Sequence, residues 1–117
     1  MTILSGEYRN ANTSTTTGAT YIAGNLVNNG IFTNLGAVVL GSATTSSSTA
    51  LSITASSQSQ TISGTGIFQN LTTSSTANLS SLTVNNSNAT GVTLAVPLSL
   101  SGTLTITAGK INTTATN

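Results

Sequence analysis

Three side chains in this 117-residue chain carry a formal charge, Glu7, Arg9 and Lys110, and any acid, base or ion chemistry must begin with them. With one carboxylate and no histidine, the chain cannot build the paired acid and base that proton transfer or glycoside hydrolysis uses. Serine is abundant, but a serine nucleophile needs a neighbouring base, and Lys110 is the sole candidate. A solvated lysine at a turn accounts for Lys110 with fewer requirements. Transition metals call for His or Cys, both absent, and calcium calls for several carboxylates. Gly64-Thr65-Gly66 opens the Gly-x-Gly-x-x-Gly phosphate fingerprint, but Gln69 stands where its third glycine belongs. Two basic residues make no phosphate-binding patch, so nucleic acid is excluded as a partner. The expectation is a protein that is not an enzyme, with no catalytic residue, no metal site and no cofactor.

Six asparagines open Asn-x-Ser/Thr triplets: Asn12, Asn70, Asn78, Asn85, Asn88 and Asn112. In so hydroxyl-rich a chain, chance alone accounts for them. Thr (25), Ser (18) and Asn (13) together supply nearly half of the residues, against 3% charged and 3% aromatic. The apolar residues are mainly Val, Ile and Leu, and they alternate with Thr and Ser. β-Branched residues are stiff at χ1 and suit a pleated surface, so the chain is read as all-β. No apolar run approaches the length of a membrane span, which excludes insertion by a helix. A net charge of +1 leaves little repulsion between copies, and self-association is expected.

A repeat organises these strands. Leu26-Val-Asn-Asn-Gly30-Ile-Phe32 returns 36 residues later as Ile62-Ser-Gly-Thr-Gly66-Ile-Phe68. After another 36, Leu98, Gly102 and Leu104 fall on the same three places. Recurrence at such a period marks units that bury their apolar faces by stacking on one another. From Val92 to Ile106 the apolar residues also keep a single parity, interrupted at Pro97 and Gly102. One straight strand of that length would span about 50 Å, too long for a domain of this size. A chain bending at Pro97 and Gly102 would wrap the same parity round a narrow core. The expected fold is therefore a single-domain β-solenoid (β-helix) of about five coils of roughly 18 residues, with each 36-residue echo covering two coils. Leu26, Phe32, Ile62, Phe68, Leu98, Leu104 and Ile106 form its expected core ladder. Gly30, Gly66 and Gly102 are its expected corners. Residues 1–19 match no repeat and are read as an N-terminal arm or cap with a polar linker. Residues 20–117 are the solenoid domain, with a loop at the Ser/Thr tract Thr44–Thr49. A β-sandwich is the competing architecture, but it has no need of the 36-residue recurrence.

The segments Gln60-Thr-Ile-Ser-Gly-Thr-Gly-Ile-Phe-Gln-Asn-Leu71, Leu82-Thr-Val-Asn-Asn86, Gly91-Val-Thr-Leu94 and Leu100-Ser-Gly-Thr-Leu-Thr-Ile-Thr-Ala-Gly-Lys-Ile111 carry a resemblance. They resemble the β-helical repeats of large secreted surface proteins of bacteria, especially of Bacteroidota, which are adhesin-like. The resemblance spans roughly residues 20–112. It implies a bacterial protein located outside the cell or on its surface, and no particular ligand.

Together these features lead to the expectation of a self-assembling structural subunit. With no C-terminal cap evident, the last coil of one copy would stack on the first coil of the next, and such contacts generate filaments. Ile3, Leu4, Glu7, Tyr8 and Arg9 are candidates for an arm across that junction. Two alternatives remain open: a stalk or repeat module of a larger cell-surface adhesin, and, more remotely, an ice-binding surface built on Thr103-x-Thr105-x-Thr107.

Overall fold

The computed structural model describes residues 1–10, 20–34, 37–41, 58–69, 78–79 and 81–114. The Thr13–Thr17 run, the Thr44–Thr49 tract, Asn12 and Asn70 lie outside them. Among the described residues every regular element is a strand, and every strand pairing is parallel. The first sheet holds β1 (Thr2–Ile3), β4 (Leu26–Asn28), β7 (Gln60–Ser63), β11 (Val92–Leu94) and β14 (Ile111–Thr113), in that spatial order. The second holds β2 (Glu7–Asn10), β5 (Ile31–Asn34) and β8 (Ile67–Gln69). The third holds β3 (Thr20–Ile22), β6 (Ala37–Gly41), β10 (Ser81–Asn85) and β13 (Leu104–Ala108). A small pair joins β9 (Asn78–Leu79) to β12 (Ser99–Leu100). Three times the chain visits first, second and third sheet in turn before returning to the first, with β9 inserted on the third round; on the last round β12 of the small pair stands between the first sheet and the third. Neighbours within a sheet are always strands from successive visits.

The alternation of the sequence explains why these segments are strands. Burial alternates along Thr20–Ile22, Leu26–Asn28, Gln60–Ser63 and Ser81–Asn85, which is the period-2 signature of a pleated strand with one inward face. Inward residues then stack in columns from strand to strand. Leu26 lies beside Ile62 and Ile62 beside Leu94 in the first sheet. Val38 lies beside Leu82, and Leu40 beside Val84, in the third. In the second sheet Tyr8, Phe32 and Phe68 follow one another, with ring centroids 5.2 and 5.8 Å apart, within the range of favourable aromatic pairs. These columns meet in one core that includes Leu26, Phe32, Val38, Leu40, Ile62, Leu82 and Val84, all essentially unexposed.

Several expectations need correction. The 36-residue echo is one strand-to-strand interval, not two of 18. Successive partners in the first sheet are Ile3 and Asn28, Leu26 and Ile62, Ile62 and Leu94, and Leu94 and Thr113, so the interval runs 25, 36, 32 and 19 residues. The third echo is a coincidence of spacing: Leu94, not Leu98, occupies the column of Leu26 and Ile62. Leu104 pairs with Leu82 in the third sheet, and the column of Phe32 and Phe68 begins instead at Tyr8. The first ten residues, expected apart from the repeat, contain two strands of the same sheets. The single-parity run is interrupted where Pro97 and Gly102 suggested, with no strand assigned at 95–98 or 101–103.

Two glycine positions show why the turns need that residue. A Cβ at Gly66 would collide with the carbonyl oxygen of Gly30, so adjacent turns approach backbone to backbone. Gly109 has φ 86° and lies against the carbonyl of Asn86, so it needs both the left-handed conformation and the missing side chain. Gly102, expected as a third corner in the column of Gly30 and Gly66, is exposed.

Candidate functional site

The charged residues sit at the margins of the sheets. β2, which carries Glu7 and Arg9, is the edge strand of the second sheet. The Glu7 carboxylate accepts from Arg9 Nε at 3.1 Å and Nη2 at 3.2 Å, and from the hydroxyl of Thr33 on β5. The Thr33 hydrogen bond, and after it those of Arg9, holds Glu7 below the usual carboxylate range. An ionised, fully engaged carboxylate orients its neighbours and is poorly suited to act as a general acid or base at neutral pH. Lys110 is exposed at the turn between β13 and β14, its carbonyl accepting from Val92 N at 2.9 Å. Among the described residues no cluster of three His, Cys, Asp or Glu could hold a metal ion. No helix among them is long and apolar enough to cross a membrane.

Buried amides make up the second group. Asn28 sits at the end of β4, fully buried; its Nδ2 donates to Ile67 O at 3.0 Å and its Oδ1 accepts from Gly30 N at 3.1 Å. Asn86 follows β10 and does the same for the next corner, donating to Gln58 O and accepting from Asn88 N. It also donates at 2.9 Å to Oε1 of Gln60, whose Nε2 donates to Ile22 O at 2.8 Å and Gly24 O at 2.7 Å. Every side-chain polar atom of this Gln60–Asn86 pair has a partner, as a low-dielectric interior demands. Asn28 and Asn86 fall in the Leu26-Val-Asn-Asn-Gly30 and Leu82-Thr-Val-Asn-Asn86 segments, whose Asn-Asn pairs mark turns; Gln60 was not singled out. Its signal was a polar residue at an inward place, two before Ile62 in Gln60-Thr-Ile-Ser. None of these contacts leaves a free polar group aimed at solvent, so the network holds turns rather than a ligand.

The third group is the free edge of the third sheet. Among the described residues β13 pairs with β10 on one side only, and its residues Leu104 to Thr107 are all exposed. Leu104 is 47% and Ile106 50% exposed, although they continue the columns of Leu82 and Val84, which are 1% and 0% exposed. Both were expected within the core ladder. They face inward by register, and no strand among the described residues covers them. Val96, Leu98, Leu100 and Ile111, each half-buried, pack against the core. The opposite ends of the same columns differ: Thr20 and Ile22 on the other edge strand, β3, are 6% and 4% exposed, and Ile3 is 7%. One end of the core is closed and the other is open. Of the expected junction residues, Ile3 is thus buried and Tyr8 half-buried beside Phe32, whereas Leu4 is 77% exposed.

No protein family, no curated protein and no solved structure matches this chain.

Proposed function

We propose that the chain is a non-enzymatic structural protein, a β-solenoid unit of an extracellular or cell-surface assembly that associates end to end. The recurring order of parallel sheets supports the solenoid reading, since each visit to the three sheets would then be one coil of unequal length. The observation that carries the assembly reading is the half-exposure of Leu104 and Ile106 at the end of otherwise buried columns. Stacking another strand on β13 would cover them and pair its free backbone groups. In the filament arrangement that strand is the first coil of the next copy, and the unit is a homopolymer. In the second reading, a module of a larger bacterial surface adhesin, further coils of the same polypeptide lie there. The closed end at Ile3, Thr20 and Ile22 favours this second reading over a filament, which needs both ends open. The ice-binding alternative asks for Thr on successive strands at one place. Thr105 lies beside Thr83, but that column continues as Val39 and Tyr21, so the hydroxyl array ends after two strands.

Sedimentation of the purified chain from about 10 µM to about 1 mM, with negative-stain imaging of the concentrated sample, tests the assembly. A single dispersed species throughout the range rejects it.

A further inference from the structure

We propose that Asn29 is a self-modifying site latched by the turn stacked on it. Its carboxamide condenses with the Gly30 amide nitrogen in chains whose Gly64–Gly66 turn has come away. Asn29-Gly30 is the one Asn-Gly step in the sequence. A glycine has no Cβ to shield its amide, so Gly30 N is the least hindered nucleophile that can follow an asparagine. Deprotonated Gly30 N attacks Cγ of Asn29. The N–Cγ bond forms, the Cγ–Nδ2 bond breaks, and Nδ2 leaves as ammonia with the proton that Gly30 N gave up. Water then opens the cyclic imide. Attack at Cγ leaves an aspartate at position 29; attack at the main-chain carbonyl leaves an isoaspartate, whose side-chain carbon becomes part of the main chain.

The fold holds both reacting groups. Asn29 is exposed on the turn between β4 and β5, and its Oδ1 accepts from Thr65 N of the next turn at 3.1 Å. Gly30 N donates its hydrogen to Oδ1 of buried Asn28, also at 3.1 Å. The main chain is clamped on both sides. Asn29 N and Ile31 N donate to Ile3 O and Gly6 O, each at 2.8 Å, while Asn28 O and Gly30 O accept from Gly66 N at 2.7 Å and Ile67 N at 2.8 Å. The carboxamide can swing onto Gly30 N once Thr65 lets go. Asn25 is held in the same way by Thr61 N, but the bulky Leu26 follows it. Asn86 precedes the small Ser87, but it is fully buried with its amide bonded to Gln58 O and Gln60 Oε1. The two products differ in their fit. An aspartate carboxylate still accepts from Thr65 N, so that chain restacks. An isoaspartate lengthens the main chain between Asn29 N and Gly30 O, which then no longer meet Ile3 O and Ile67 N together. A prolonged opening of this turn is thereby recorded covalently.

The test incubates wild type at about pH 8, folded and in urea, and reads deamidation at position 29 by peptide mass, with the isoaspartate resolved by chromatography. Asn29→Gln is the control that loses the signal. Imide closure is slow beside turn opening, so its rate follows the open fraction, and the folded chain should react at least about tenfold more slowly than the unfolded one. Gly64→Ala, whose Cβ meets the carbonyl of Asn28, loosens the latching turn and should raise the folded rate about three- to tenfold. Gly109→Ala disturbs the turn at Asn86, another corner, and should change it less than about twofold. Should Gly64→Ala fail to fold, wild type in urea below its unfolding midpoint serves instead, and its rate should rise before global unfolding begins. Equal rates in the folded and unfolded chain overturn the latch. Acceleration by Gly109→Ala as great as by Gly64→Ala, or a wild-type rate that rises only with global unfolding, overturns it too. After ageing in urea and return to buffer, the aspartate chains are expected in the folded fraction and the isoaspartate chains outside it. Equal refolding of the two overturns the covalent record.

Discussion

Ile62→Ala and Leu104→Ala remove the same number of carbon atoms, yet they should differ severalfold in cost. The sequence places both residues in one ladder; the structure makes Ile62 fully buried and Leu104 47% exposed. Each substitution deletes three carbons, worth about 0.8 kcal/mol apiece when buried. For Ile62 the transfer loss is about 2.4 kcal/mol. It lies between Leu26 and Leu94, and neighbours held by hydrogen bonds on both sides cannot close the void. With the cavity included, about 3–4 kcal/mol is expected. For Leu104 half of the side chain is already in water and no strand lies beyond it, so about 1 kcal/mol is expected, with little cavity cost. Urea unfolding at a few micromolar, where copies are dispersed, measures both as shifts in midpoint at constant slope. Equal losses at that concentration would refute the register that sets Leu104 at an open edge. Repeating the Leu104→Ala measurement near 1 mM tests the end contact as well, because association adds stability that the variant forfeits.

Gly66→Ala should destabilise by about 1–3 kcal/mol, because its Cβ meets the Gly30 carbonyl, while Gly24→Ala, with nothing within 4 Å, should be neutral or slightly stabilising by thermal melting. Gln60→Leu should cost about 2–3 kcal/mol, since the carbonyls of Ile22 and Gly24 and the amide of Asn86 lose their partner. Gln60→Glu should be destabilised further as pH rises, because ionising a buried carboxyl against two carbonyls is unfavourable; melting curves from pH 4 to 9 report it. Glu7 has a folded pKa below its unfolded one, so its contribution is present above the unfolded value and lost as pH falls through the folded one. Wild type should therefore lose stability in that acid window relative to Glu7→Gln, whose own curve lacks that component.

Much of the fold could be read from residue order, but not the intervals between paired strands. Alternation marks strands at Asn25–Val27, Gln60–Ser63 and Asn78–Val84, and the structure has them at Leu26–Asn28, Gln60–Ser63, Asn78–Leu79 and Ser81–Asn85, because a one-sided pleated strand writes its burial directly into the sequence. The 36-residue echo was equally direct: Asn25 and Asn29 accept from Thr61 N and Thr65 N, each 36 residues further on. What the sequence left open is that the strands of a sheet keep register while the chain between them varies in length. Adding residues to a surface turn costs little, since loop entropy grows only logarithmically. Intervals of 25 and 19 residues therefore stack beside one of 36, and a fixed period misplaces Leu98, Gly102 and Leu104. Tyr8 was missed as the start of the Phe32 column for the same reason. The open end was only half legible, since inward parity says which way Leu104 and Ile106 face and nothing about whether a strand lies beyond them.

The scarcity of charge and the closed and open ends have a common physical root. In a parallel stack, identical positions on neighbouring strands lie about 4.8 Å apart. Two like charges at that spacing repel by about 1 kcal/mol in water and by several times that near a protein surface. A repeat that carried one charge per coil would pay that repulsion at every step, so hydroxyls and amides serve better on its outer faces. Asn and Gln can also finish a buried turn, accepting and donating at once, where a carboxylate can only accept. Asn28, Asn86 and Gln60 do this at full burial. Charge is then tolerable only where nothing stacks on it, at an edge. Glu7 and Arg9 lie on the edge strand β2, and Lys110 precedes the edge strand β14. By the same logic an edge with no charge is an edge that can still be stacked upon, and β13, with Leu104 and Ile106 half in water at the end of buried columns, fits that description.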